Sequence, residues 1–135
     1  MTSQSSRSIR NRPKLSSPTV LNAFKLKYPS ASTPQWHQID VFRWEVNFIL
    51  RNKWYSALFD SHGNWLETMT LISLEAIPKN VLKVFEKSFT ISGIKNIRQI
   101  QITNGTIYEI KWTNGVFIWK LLYDISGKMV GKIIT

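Results

Sequence analysis

Apolar residues recur along this chain with two different periods, and the switches between them mark out its elements. Val20, Leu21, Phe24 and Tyr28 recur at the three-to-four-residue spacing of one helix face; Ser17 suits the cap, Pro18 the first helical position, and Pro29 ends the run. Val81, Leu82, Phe85 and Phe89 repeat this stripe behind Pro78, with Lys79, Lys83 and Lys87 elsewhere on the circumference. The period then becomes two. Phe42, Trp44, Val46, Phe48 and Leu50 alternate with Arg43, Glu45, Asn47 and Ile49, and Tyr108, Ile110 and Trp112 alternate with Ile107, Glu109 and Lys111. Four strands are expected after each helix, at about 35–41, 42–50, 53–60 and 64–72, then at about 96–103, 106–113, 116–124 and 128–134.

Turn residues sharpen this outline. Asn104-Gly105 and Asn114-Gly115 suit two-residue hairpins, because Asn and Gly accept the positive φ angles of a type I′ turn. Asp60-Ser-His-Gly63 and Asp124-Ile-Ser-Gly127 suit type I turns closed by a glycine bulge. A tight turn at Asn114-Gly115 places Trp112 beside Phe117, Ile110 beside Trp119 and Glu109 beside Lys120. Alternation then assigns faces: Trp44, Val46, Phe48, Tyr55, Ala57 and Phe59 lie beneath the first helix. Arg43, Asn47, Ile49, Trp54, Ser56 and Leu58 lie on the other side, which with Ile118, Lys120 and Leu122 has no evident cover.

The chain also resembles itself. Thr19-Val-Leu-Asn-Ala-Phe24 aligns with Asn80-Val-Leu-Lys-Val-Phe85, Trp44-Glu-Val46 with Tyr108-Glu-Ile110, and Phe59-Asp-Ser-His-Gly63 with Tyr123-Asp-Ile-Ser-Gly127. The expectation is an α+β fold built as a tandem duplication α-β4-α-β4, an antiparallel sheet with two helices packed on one face. Its repeats run over about 18–72 and 78–135 within one domain at 17–135, preceded by a mobile basic arm at 1–16.

Composition agrees with one small folded domain. A hydrophobic content of 43% in 135 residues is enough for a single core, and six Trp, seven Phe and four Tyr favour strands. Cysteine is absent, which excludes disulfides, a thiolate nucleophile and thiolate metal sites. The formal charge is +10, of which Arg7, Arg10, Arg12 and Lys14 supply four units in a segment without an acid; attraction to anionic partners follows. Residues 1–17 carry only Ile9 and Leu15 as large aliphatic side chains besides Met1, so no signal peptide is read in the chain as given, and no stretch is apolar enough for a membrane span.

With these elements in place, Ala23-Phe-Lys-Leu-Lys-Tyr-Pro29, Trp44-Glu-Val46, Leu58-Phe-Asp-Ser-His-Gly-Asn-Trp-Leu-Glu67 and Gly105-Thr-Ile-Tyr-Glu-Ile110 resemble the PepSY-like family over about residues 18–135. The resemblance implies a fold similar to β-lactamase-inhibitor protein, with helices on one face of a curved antiparallel sheet. It also implies export from Bacteroidetes-type bacteria to a periplasmic or extracellular location, with a cytoplasmic one as the alternative. It carries over no catalytic residue.

Candidate chemistry is sparse. His62 lies beside Asp60, but further metal ligands at suitable spacing are missing, and Asp and Gly have backbone roles in such a turn; neither metal nor cofactor is expected. His37 falls in a strand, where packing or exposure is favoured over catalysis. Glu45 and Glu109 occupy matching places, and Glu109 is read as a solvated pair with Lys120 rather than a catalytic acid. Asn104-Gly105-Thr106 fits a glycosylation sequon and, more simply, a turn.

The sequence therefore points to a non-catalytic binding or inhibitor-type protein acting through the open sheet face on a protein or peptide partner. Arg43, Ile49, Trp54, Leu58, Ile118, Lys120 and Leu122 form that face, with Trp54, Leu58 and Ile118 as apolar anchors. Cover by a second copy or a crossing segment is the structural alternative. Binding of single-stranded nucleic acid or an anionic surface is the functional one, motivated by the arm and the aromatic content and opposed by the placement of most aromatics under the helices.

Overall fold

The computed structural model describes residues 17–135; the expected basic arm, residues 1–16, lies outside them. Helix α1 spans Pro18–Lys27, and the Ser17 hydroxyl accepts a hydrogen bond from the Val20 N–H at 3.5 Å. Helix α2 spans Lys79–Glu86 with Pro78 at its N-cap. Both are shorter than the roughly 12–15 residues at which an isolated helix becomes even marginal, so each exists because one of its faces is buried. Tyr28 and Phe89 lie just beyond the helix ends yet continue the stripes: their N–H groups bond to the carbonyls of Phe24 and Phe85 at 2.8 and 3.0 Å.

Strands follow at β1 Ser32–Asp40, β2 Arg43–Leu50, β3 Lys53–Asp60, β4 Trp65–Ile72, β5 Ile94–Ile102, β6 Gly105–Thr113, β7 Ile118–Asp124 and β8 Met129–Ile134. Consecutive strands pair within each unit, and the β1/β2, β2/β3, β5/β6, β6/β7 and β7/β8 pairings are antiparallel. The fold is α+β, as expected.

The chain forms two compact units, one ending at Thr68 and the other Met69–Thr135. In the first, Val20 and Phe24 of α1 bury Trp44, Val46, Phe48, Ala57 and Phe59, with Phe24 edge-on to Phe48 at 5.1 Å and to Trp36 at 5.4 Å. Trp44 faces Phe59, Val46 faces Ala57 and Phe48 faces Tyr55 across β2 and β3, all on the side expected beneath α1. In the second unit, Val81 and Phe85 of α2 bury Ile97, Tyr108, Ile110, Leu121 and Tyr123. Each fully buried Val or Phe contributes about 1.5–3 kcal/mol, enough to hold a helix of two or three turns in place.

One contact recurs in both units. Gly63 and Gly127 close their Asp-x-x-Gly turns at φ +86° and +94°, each N–H bonding to the carbonyl of the turn's Asp at 3.0 Å. A Cβ on Gly63 would meet Thr19 and Ala23 at the start of α1; one on Gly127 would meet the Asn80 carbonyl oxygen at 2.8 Å and Val84 on α2. The turn glycine is therefore the point where strand and helix backbones approach. Asn80 reinforces the second instance by donating from Nδ2 to the Ile125 carbonyl at 2.7 Å.

Four expectations need correction. Phe42 is not on the buried face of β2 but in the β1–β2 turn, 68% exposed, because the Asp40 carboxylate accepts the Phe42 N–H at 2.9 Å and starts a turn there. The Asn114-Gly115 turn is not two residues long. Asn114 Oδ1 accepts the N–H groups of both Val116 and Phe117 at 2.9 Å, which makes residues 114–117 a loop and leaves Phe117 exposed. Trp112 consequently faces Trp119, Ile110 faces Leu121 and Glu109 faces Leu122. This slip of two residues moves every pair but leaves every side chain on its assigned face. The β5–β6 turn is centred on Thr103-Asn104, since Ile102 already pairs with Gly105, and neither residue has the positive φ of type I′. The turn with positive φ at both central residues is instead Arg51-Asn52, at +49° and +65°.

Gly127→Ala adds a positive-φ penalty to a backbone clash, whereas Gly115→Ala at the same φ of +94° meets open space. Thermal or urea unfolding is expected to show a loss of about 1 kcal/mol for Gly115→Ala and of about 2–4 kcal/mol for Gly127→Ala. The turn carboxylates contribute to the acid limb. Asp60, held chiefly by the Asn64 backbone N–H, and Asp124, held chiefly by the Ser126 hydroxyl, both titrate below the ordinary value of 3.8. A depressed folded-state value means stability that is present above the unfolded value and is lost as pH falls through the folded one. Melting scans from about pH 7 down to about pH 2 are therefore expected to show a loss beginning near pH 4, and a shallower loss in the Asp60→Asn/Asp124→Asn variant.

Candidate functional site

Because side chains alternate along a strand, burial of one set under a helix sends the next set to the opposite side. In the first unit that side carries Arg43, Glu45, Asn47 and Ile49 of β2 and Trp54, Ser56, Leu58 and Asp60 of β3. Ile49 and Trp54 face each other directly; Ile49 is half-buried, and Trp54 is 53% exposed. Leu58 is separated from them by a polar row, Asn47 opposite Ser56, and lies opposite Glu45, whose carboxylate accepts the Ser56 hydroxyl at 2.9 Å. Arg43 stands at the far end. Its Nε and Nη2 reach Asp40 Oδ2 at 3.0 and 2.9 Å, so its charge is matched locally, and the Asp40 carboxyl is held low chiefly by that guanidinium.

In the second unit the corresponding side forms a grid of rows across the strands. Thr113 faces Ile118. Asn96, Lys111, Lys120 and Ile133 make the next row, Arg98, Glu109, Leu122 and Gly131 the third, and Ile100, Ile107 and Asp124 the fourth. The expected candidates Ile118, Lys120 and Leu122 are thus brought together on β7, all half-buried. Glu109 is not the solvated partner of Lys120. It is only 6% exposed, and Arg98 Nε lies 3.0 Å from its Oε2, off the N–H axis, as an ion pair rather than an aligned hydrogen bond.

Lys111 escaped the sequence reading, as did Arg98. With β7 displaced by two residues, Glu109 stood opposite Lys120 and concealed the Lys111–Lys120 pair. The signal was the Asn114 side chain, which can cap two following N–H groups and so lengthen the loop.

The weighed histidines and the sequon have structural places. His62 is exposed, and its N–H donates to Asp60 Oδ1 at 2.9 Å; the same carboxylate also accepts the Asn64 N–H and side-chain amide at 3.0 Å, so it is occupied by its own turn. His37 is exposed opposite Glu45, and Asn104 lies at the β5–β6 turn. Among the described residues no three His, Asp or Glu side chains gather as metal ligands, and no helix is long and apolar enough to cross a membrane.

Comparison with known proteins gives the same outline. The chain resembles a BLIP-like protein from Bacteroides fragilis NCTC 9343, with 20% identity, 87% of this chain and 85% of that chain covered, and a TM-score of 0.78. It is similar to a DUF2874 family protein from Bacteroides ovatus ATCC 8483, with 23% identity, coverage of 86% and 85%, and a TM-score of 0.78. It also resembles a protein from Bacteroides eggerthii DSM 20697 described as a putative periplasmic protein, with 21% identity, 86% of each chain covered and a TM-score of 0.77. At these identities the likeness concerns the fold. No curated protein matches the chain. A family model described as "Putative beta-lactamase-inhibitor-like, PepSY-like" matches residues 43–131, most of the described strands and the whole of α2, and the chain therefore belongs to the PepSY-like family.

Proposed function

We propose that this chain is a non-catalytic binding or inhibitor-type protein, acting on a protein or peptide partner through the sheet sides that its helices leave uncovered. The observation that carries this reading is Trp54, more than half exposed on the side of β3 away from α1 and directly opposite Ile49. A large aromatic in such a place is the kind of side chain that anchors interfaces. On the second unit, Ile118 and Leu122 are the apolar candidates, and Lys120 between them supplies charge. The beta-lactamase-inhibitor-like description of the family accords with a protein partner. The likeness to a protein described as periplasmic supports an exported location.

The acids support a non-catalytic reading because each one described above has structural work. Asp60 and Asp124 hold turns, Asp40 holds Arg43, Glu45 accepts Ser56, and Glu109 balances Arg98. General acid–base work needs a carboxyl poised toward a substrate instead. The equivalent contacts of Gly63 with Thr19 and Ala23, and of Gly127 with Asn80 and Val84, further support reading residues 17–135 as two repeats of one unit.

Binding of single-stranded nucleic acid has less support. Trp44, Phe48, Tyr108 and Tyr123 are buried under the helices, where no base can stack.

Glu109→Gln leaves Arg98 facing a neutral group in a nearly buried site, and urea unfolding is expected to show a loss of about 1–3 kcal/mol. Arg98→Met/Glu109→Leu is expected to recover most of it; full stability in Glu109→Gln would free that carboxylate for other roles. Affinity capture from envelope and cytosolic fractions, with nuclease and at high salt, is expected to recover a protein partner. Trp54→Ala is expected to lose that partner while unfolding within about 1 kcal/mol of the parent. Recovery of nuclease-sensitive, salt-labile material alone would overturn the reading.

A further inference from the structure

We propose that the face of β5, β6 and β7 opposite α2 receives an acidic segment of the partner, with Lys111 and Lys120 as the paired cations that read it; this rests on the open-face reading above. Lys111 and Lys120 are directly opposite each other in the β6/β7 ladder, on the side away from the α2 core. Like charges in that position repel, so the pair weakens the sheet unless something anionic lies between or over it. The nearest acid by register is Glu109, one row away, and its carboxylate is taken by Arg98 at 3.0 Å. Among the described residues neither lysine forms an ion pair. Both are half-buried, which reduces solvent screening and strengthens their attraction for an added anion relative to that of a fully exposed lysine.

The neighbours decide what kind of anion fits. Around the pair lie Ile118 in the preceding row, Ile133 beside Lys120, and Leu122 in the row behind. The aromatic side chains of these strands, Tyr108, Trp112, Trp119 and Tyr123, belong to the α2 side. Asn96 lies beside Lys111, and the Arg98–Glu109 pair fills the row behind. Two cations flanked by Ile118, Ile133 and Leu122, with no ring on these strands' open side for a base to stack on, suit alternating carboxylates and apolar side chains of an extended acidic peptide rather than a nucleic-acid strand. The first unit differs, since Arg43 there is matched by Asp40 and Glu45 lies in mid-face, so the selective charge resides on the second unit.

The test uses the full chain and three labelled probes: a 12-residue peptide of repeating Glu-Leu-Glu-Thr, its counterpart with Lys for Glu, and a 12-nucleotide dT strand, followed by fluorescence anisotropy at about 0.15 M salt. The acidic peptide is expected to bind at least about tenfold tighter than the other two. Lys111→Gln/Lys120→Gln is expected to weaken it about tenfold while raising Tm by about 1–3 °C, because the opposed charges are gone. Lys79→Gln/Lys87→Gln on and beside α2, with the same change in net charge, is expected to alter binding less than about twofold. If Ile118→Ser/Leu122→Ser weakens peptide binding but the lysine variant does not, the acidic reading falls and the open face stands. If neither variant changes binding, or if the acidic peptide does not bind, the inference falls. Equal dependence of dT binding on these lysines would assign the face to nucleic acid and overturn it.

Discussion

One short helix pressed against one side of each set of strands is the constraint on which everything else here depends. Neither α1 nor α2 is long enough to persist alone, and neither group of strands can leave Trp44, Phe48, Tyr108 or Tyr123 in water. The two problems solve each other only in one register, because a one-residue shift would turn every buried side chain outward. The turn glycines make that register close. Gly63 and Gly127 let the strand turns approach the helices, and a side chain there would crowd Thr19 on α1 or the Asn80 carbonyl on α2.

This constraint also explains which parts could be read from the chain. Helix stripes, the Asp-x-x-Gly turns and the β2/β3 pairing were legible because each follows from local chemistry: proline and serine at a helix start, φ-permissive glycine in a turn, apolar alternation under a cover. The β6/β7 register was not, because it depends on whether Asn114 bonds forward to Val116 and Phe117, a choice between two loops that both suit Asn-Gly. The strand bounds placed the Arg51-Asn52 turn correctly but did not give its type. Its positive φ angles are imposed by the two strands it joins, with only Asn52 inclined toward them. Phe42 followed the alternation rule but lay one residue outside the strand, where an Asp40 turn replaced the ladder.

The candidate site was legible by face and not by neighbour. A slip of two keeps sides and changes partners, so Ile118, Lys120 and Leu122 were placed on the correct side of β7. Charge is the property that depends on neighbours. Lys120 opposite Glu109 is a neutral surface pair, whereas Lys120 opposite Lys111, with Glu109 held by Arg98, is a concentration of positive charge on a half-buried surface. Arg43 shows the converse, since an arginine that looked available is matched by an aspartate three residues earlier.

The two units are alike in what they bury and differ in what they expose. Residues that hold helix to strand correspond closely: Phe24 with Phe85, Trp44 with Tyr108, Phe59 with Tyr123, Gly63 with Gly127. On the uncovered sides the correspondence narrows to one row, Glu45 opposite Leu58 and Glu109 opposite Leu122. The first presents Trp54 and Ile49 beyond a polar row, and the second presents opposed lysines among isoleucine and leucine. Similar buried contacts thus underlie two different open sides, one carrying an exposed aromatic and the other two opposed cations.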